Sequence, residues 1–282
     1  RGDQRFIVLR QPVGVVAAIT PWNYPVSMIA RKVAPALAAG CTVVLKPAEA
    51  TPLCAIEMFK LFADAGIPPG VVNLVTAQDP APIGAVFVNH PMVRKLTFTG
   101  STRVGKLLAR GAGEQMKRIS LELGGHAPFL VFADADPMHA ARGAALVKFL
   151  NTGQACICPN RLFVHAKLVA PFTAEFTQRV AKMKAGNGME EGVAIGPLVN
   201  DAALDKVERH VQDALAQGAS LLLGGHRLME NGLHKGHFYA PTVLGGVTSA
   251  MQIYREETFG PVAPIIVFDD GHAVVDLDGA LH

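Results

Sequence analysis

Cys156 sits in Gly153-Gln154-Ala155-Cys156-Ile157-Cys158, a stretch of small and polar residues suited to a loop that presents a thiol. Glu122 stands in Leu121-Glu122-Leu123-Gly124-Gly125, and Asn23 in Pro21-Trp22-Asn23-Tyr24-Pro25. A thiol nucleophile, a carboxylate base and an amide donor are the groups that covalent chemistry at a carbonyl carbon requires. Spacing alone does not bring them together, and Cys156 has competing explanations. A buried structural cysteine is the commonest fate of a lone thiol. A disulfide within Cys-x-Cys is strained. A metal site needs four ligands at Cys-x-x-Cys or histidine spacing, and the four cysteines and ten histidines show no such pattern. An unperturbed thiol, with a pKa of about 8.5, is only slightly ionised at neutral pH, so a nucleophilic Cys156 must be activated by its surroundings.

Three further segments have ligand-binding chemistry beside a plainer explanation. Phe98-Thr99-Gly100-Ser101-Thr102-Arg103-Val104-Gly105 joins a strand pattern to a helix pattern. Gly100 permits close backbone approach, and Ser101 with the first helical N–H groups can receive a phosphate, although a Gly-Ser cap is common without any ligand. The Gly-x-Gly-x-x-Gly fingerprint of dinucleotide sites is absent. Lys46-Pro47-Ala48-Glu49 follows a strand, where doubly wound sheets bind ligands, or is a solvated turn. Glu256-Glu257-Thr258-Phe259-Gly260-Pro261 is otherwise an acidic loop.

The elements that must position these residues alternate. Gly14–Thr20, Cys41–Lys46, Val71–Val75, Val93–Thr97 and Lys117–Glu122 are expected strands. Between them lie expected helices over Pro25–Ala39, from the cap Thr51 with Pro52 to Ala65, over Pro82–Val88, and from the cap Ser101 to Arg110. Beyond Gly124-Gly125, a natural hinge, helices are expected over Pro137–Leu150, Lys167–Lys184 and Asp201–Gln217, and strands over Phe129–Phe132, Leu162–His165, Ser220–Leu223 and Ala263–Phe268. This alternation means βαβ units, an α/β class and a mostly parallel sheet. With 282 residues, half of them hydrophobic, two buried cores are affordable. A net charge of +3 without a Lys/Arg run argues against nucleic acid, and no uncharged apolar stretch is long enough to span a bilayer. Four cysteines in so long a chain indicate reduced thiols and a reducing compartment: the cytoplasm, with the mitochondrial matrix as second choice. Arg1 at the start and an aperiodic tail from Asp269 suggest a piece lacking both ends.

Taken in order, these motifs resemble the aldehyde dehydrogenase superfamily, from about Val13 to Phe268. The resemblance implies a Rossmann-like cofactor domain with a doubly wound parallel sheet over residues 1–123, then an α/β catalytic domain over 124–282, both partial. It implies Cys156 as nucleophile, Glu122 as base and Asn23 as oxyanion donor. It also implies a cofactor site formed by Thr20, Pro21, Trp22, Lys46, Glu49, Gly100, Ser101, Gly105, Glu257 and Phe259. Lys46 and Glu49 would hold the adenosine ribose, and the Glu49 carboxylate would favour NAD over NADP. No metal and no membrane are implied; the partners are a small aldehyde and, for the whole protein, further copies of itself. Phe149-x-Asn151-Thr152-Gly153-Gln154-x-Cys156-x-Cys158, Ile195-Gly196-Pro197-Leu198 and Glu257-Thr258-Phe259-Gly260-Pro261 look most like the succinate-semialdehyde dehydrogenase branch. There two arginines grip the distal carboxylate. Arg31 matches one, but Leu150 stands where the other is expected, which leaves uncharged aldehydes, or a catalytically silent fragment, as alternatives. Ala77 stands where many relatives have Gly.

Overall fold

The computed structural model describes residues 3–269, so the aperiodic tail from residue 270 lies outside the described residues. The chain divides between Gly124 and Gly125 into two compact units.

The first unit runs β1 (Val15–Ile19), α1 (Pro25–Ala38), β2 (Thr42–Lys46), α2 (Pro52–Asp64), β3 (Val72–Leu74), α3 (Ala81–Asn89), β4 (Val93–Thr99), α4 (Thr102–Glu114) and β5 (Arg118–Glu122). All five strands are parallel, in the order β3-β2-β1-β4-β5. Successive strand residues point to opposite faces. Val16 and Ala18 therefore join Ile29 and Val33 of α1 and Ala55 of α2, while Ala17 joins Phe87 of α3 and Leu108 of α4. Helices thus cover both faces, and the strand order reverses between β1 and β4. That reversal is a topological switch point, where the carboxyl ends of the strands open a crevice.

The second unit runs β6 (Ala127–Val131), α5 (Pro137–Lys148), β7 (Pro159–His165), α6 (Val169–Ala181), β8 (Lys184–Ala185), β9 (Val193–Ile195), α7 (Asp201–Ala216), β10 (Ser220–Leu223), β11 (Thr242–Gly245), α8 (Gln252–Arg255) and β12 (Val262–Phe268). Its main sheet has the order β10-β11-β12-β7-β6, parallel except for β10 against β11; β8 and β9 form a separate parallel pair. Leu162 and Val164 of β7 pack with α5 and α6, and Phe163 between them packs with Val207 and Val211 of α7.

Several sequence expectations need correction. Thr51 holds the cap position of α2, but its hydroxyl makes no capping bond and is buried without a hydrogen-bond partner among the described residues. Thr51 has ψ 48°, where the bonded caps Ser101 and Asp136 are extended at ψ 145° and 114°. The helix expected over Lys167–Lys184 is shorter: Ala166–Leu168 is a 3-10 turn, and Lys184 pairs with Val193 in a strand. The helix expected to reach Leu150 stops at Lys148, because the chain then enters a tight turn. β8, β9, β11 and α8 are additions.

Candidate active site

The first unit gathers its candidate residues at one end of the sheet. The register sets Ile19 beside both Lys46 and Phe98, and Thr99 beside Glu122. Thr20, Pro21 and Trp22 therefore leave β1, Lys46 closes β2, Gly100 and Ser101 leave β4, and Glu122 closes β5, all at carboxyl ends. Thr20 is buried and its hydroxyl has no hydrogen-bond partner among the described residues. A buried, unsatisfied hydroxyl is costly unless a ligand completes it. Ser101 Oγ accepts from Val104 N at 3.4 Å, and α4 starts there with its N-terminal dipole facing the crevice end. Lys46, buried to 3% exposure, donates to Pro47 O at 2.9 Å and pairs with the exposed carboxylate of Glu49. Gly105 has a packing role: a Cβ there would lie 2.4 Å from Leu123 Cδ2, so its bare backbone lets α4 approach the end of β5. Asn23 and Trp22 are half-buried in the turn before α1. Arg31, exposed on α1, lines a cavity of about 450 Å³ with Lys32, Lys95, Thr97 and Ser120.

Lys32 is a feature the motifs did not reveal. Its Nζ donates to Thr97 Oγ1 at 3.1 Å. Burial pulls its pKa from 10.5 down to about 8, Glu122 raising it and Lys95 lowering it further. The carboxylate of Glu122 thus has an ammonium in its field at neutral pH and an amine above about pH 8. The unfolded chain binds this proton up to 10.5, so between 8 and 10.5 it holds more protons than the folded one, and stability rises with pH across that window. Denaturation of wild type and Lys32→Met across that range is expected to show a rise present in the first and diminished in the second.

The second unit builds the cysteine loop. After α5 the chain turns through Leu150–Gly153 with Asn151 at φ 50°, Thr152 at φ 61° and Gly153 at φ 74°. A β-branched Thr in the left-handed region is strained and has to be held there. Thr152 Oγ1 accepts from Gly196 N at 2.9 Å and Gln154 Oε1 from Val199 N at 3.1 Å, while Gln154 Nε2 donates to Pro197 O at 3.2 Å. The Ile195-Gly196-Pro197-Leu198 motif is thereby a prop for the loop. Cys156 emerges half-buried, between buried Ala155 and exposed Ile157. Gly125 lies against it: a Cβ there would stand 2.7 Å from Cys156 O, and the Gly125 N–H donates to Glu257 Oε1 at 3.2 Å. Burial pushes the Glu257 carboxyl up, opposed by that N–H, Lys206 and Lys148.

The turn bearing Glu257 and Phe259 is also strained and held. Phe259 has φ 54°. Lys206 of α7 donates to Glu257 O, and His210, 1% exposed, bonds Thr258 Oγ1 through Nδ1 at 3.1 Å. Burial, then Lys206, depress the His210 pKa, against the pull of Glu256. Neither α7 residue was distinguishable in sequence, since both belong to an ordinary amphipathic helix. Gly153 connects the two turns, because a Cβ on it would fall 2.2 Å from Gly260 O. Gly153→Ala therefore meets backbone and carries an unfavourable φ together, and is expected to cost at least about 2 kcal/mol. Urea denaturation giving wild-type stability would count against this packing.

The aldehyde dehydrogenase family model matches residues 2–278. A Sinorhizobium fredii protein named probable succinate-semialdehyde dehydrogenase (NADP(+)) is 53% identical over 97% of this chain and 55% of its own length. A 3-sulfolactaldehyde dehydrogenase of Pseudomonas putida is 49% identical over 99% of this chain and 56% of its own length. The crystal structure of succinate-semialdehyde dehydrogenase from Burkholderia pseudomallei superposes with a TM-score of 0.93 at 50% identity, covering 96% of this chain and 55% of that one. The chain spans about 55% of the length of the first of these relatives. With the switch-point sheet, the propped cysteine loop and a match along almost its whole length, this chain belongs to the aldehyde dehydrogenase family.

Proposed function

We propose that the protein oxidises an anionic aldehyde, a semialdehyde with a terminal carboxylate, to the acid with a nicotinamide dinucleotide. The observation that carries this reading is the loop geometry: Cys156 presented half-buried by a turn with three positive φ values, beside the Gly125 backbone that also binds Glu257. In this reading the Cys156 thiolate attacks the carbonyl carbon. The Asn23 amide and the Cys156 N–H donate to the oxyanion, each such donor contributing about 3–4 kcal/mol at the transition state. When bound, the dinucleotide would supply a hydride acceptor. Loss of hydride leaves a thioester on Cys156. Glu122 takes a proton from water, which then hydrolyses the thioester. Thr20, Pro21, Trp22, Ser101 and the start of α4 would hold the dinucleotide, Lys46 and Glu49 its adenosine ribose, and Glu257 with Phe259 its nicotinamide end. The unsatisfied Thr20 hydroxyl fits such a ligand.

The preference for NAD inferred from Glu49 is not supported by the relatives, since the one at 53% identity is named for NADP(+). The Lys46–Glu49 pair suggests why: the carboxylate is balanced by an ammonium that a 2′-phosphate can use. We therefore assign NAD or NADP, in a compartment that keeps thiols reduced. Leu150, 46% exposed, favours a second reading in which the aldehyde is uncharged. Rates with succinate semialdehyde and with an uncharged aldehyde of equal length, each with NAD and NADP, separate the readings. A preference of at least about tenfold for the anionic substrate is expected, and equal kcat/KM would favour the second.

A further inference from the structure

The cluster beneath the cysteine loop is assigned no step in this chemistry, although the Lys148 charge acts on Glu257. Lys148, in the last turn of α5, is wholly buried at 0% exposure. Its Nζ donates to Asn160 Oδ1 at 2.9 Å and to Cys158 Sγ at 3.3 Å. Cys158, 1% exposed, donates back to the Lys148 carbonyl at 3.3 Å. The sulfur is therefore clamped by both ends of one residue, with an amine nitrogen already at van der Waals distance. A long, flexible side chain loses much rotamer freedom when held this way, so the nitrogen is pre-positioned.

We propose that Lys148 and Cys158 form a redox modification site, in which oxidation by a peroxide joins Nζ to Sγ as a sulfenamide. In the first step peroxide oxidises the thiol to a sulfenic acid: the S–O bond forms, the O–O bond breaks and water leaves. In the second Lys148, whose ammonium first releases one proton to water, attacks that sulfur with the nitrogen lone pair. An N–S bond forms, the S–O bond breaks, and the hydroxyl leaves with a proton from nitrogen as water. The net change is the loss of two hydrogens, with one peroxide reduced to two waters, and a thiol reductant restores both side chains. The bond would tie the end of α5 to the start of β7 across the segment that carries Cys156, and would occupy the sulfur nearest in sequence to it. A lysine so linked is also unavailable to trypsin.

The test is a peptide map of the folded protein after brief hydrogen peroxide treatment, alkylation and trypsin digestion. The expected product is Gly143–Arg161 uncut after Lys148, with Cys156 alkylated, Cys158 not, and the mass lower by two hydrogens than the singly alkylated peptide. Dithiothreitol before alkylation should return cleavage after Lys148. Cys158→Ser should abolish the uncut peptide, and Lys148→Met, which has no cleavage site at 148, should give Gly143–Arg161 with both cysteines alkylated and no two-hydrogen deficit. Because Lys148→Met empties a buried site, the wild-type and Cys158→Ser maps suffice if it fails to fold. The proposal is overturned if Phe149–Arg161 appears cut from Lys148 and carrying a Cys156–Cys158 disulfide, or Cys158 sulfinic acid, as the only oxidised product. The readout does not use dehydrogenase activity, so it stands or falls apart from the function proposed above.

Discussion

Cys156→Ala is expected to lower dehydrogenase turnover by at least about 10⁴-fold while leaving folding nearly unchanged. The methyl group keeps the loop's small-residue character, and Thr152, Gln154 and Gly153 keep the contacts that hold the turn. On the proposed mechanism no thioester forms without the nucleophile, and the remaining donors would not replace a covalent route. In the proposed reading dinucleotide binding uses other residues, so it should persist, visible as a ligand-induced rise in Tm for wild type and variant alike. Turnover within tenfold of wild type would remove Cys156 from its role.

Glu122→Gln should act on the later half-reaction. Glutamine keeps the shape of the side chain at the end of β5 but cannot accept a proton from water. In the proposed mechanism attack by Cys156 and hydride loss do not require that proton transfer, so the first turnover should survive as a burst of reduced dinucleotide. Steady-state turnover should then fall by about 10²–10⁴-fold, the range of a lost general base. Stopped-flow absorbance separates the phases. A variant without a burst would move Glu122 to the first step; one with normal turnover would leave it no role.

Strands β1 and β2 were legible in sequence as short apolar runs, and β4 and β5 as stretches mixing apolar and polar residues; each is followed within two residues by Gly or Pro, and their alternation with helices is enough to imply the parallel sheet. The two- and three-residue strands β8 and β9 carry no periodicity that could reveal them. Gly153 and Gln154 marked a loop, yet nothing local shows that Asn151 and Thr152 take positive φ. Those angles are imposed from more than forty residues away, by Gly196, Pro197 and Val199. Lys32 and Lys148 were invisible for the same reason: a lysine in a helix is taken for a solvated side chain, and only packing shows these two turned inward. Thr51 is the reverse case, a residue with cap chemistry whose backbone angle withholds the bond.

The most direct test of the account is to mix the protein with dinucleotide and semialdehyde, quench in acid during turnover, and weigh the intact chain and its peptides. An acyl group equal to the oxidised substrate, on the Phe149–Arg161 peptide at Cys156 and enriched in Glu122→Gln, is the predicted result. Product formation with no adduct on that sulfur at any time point would contradict it.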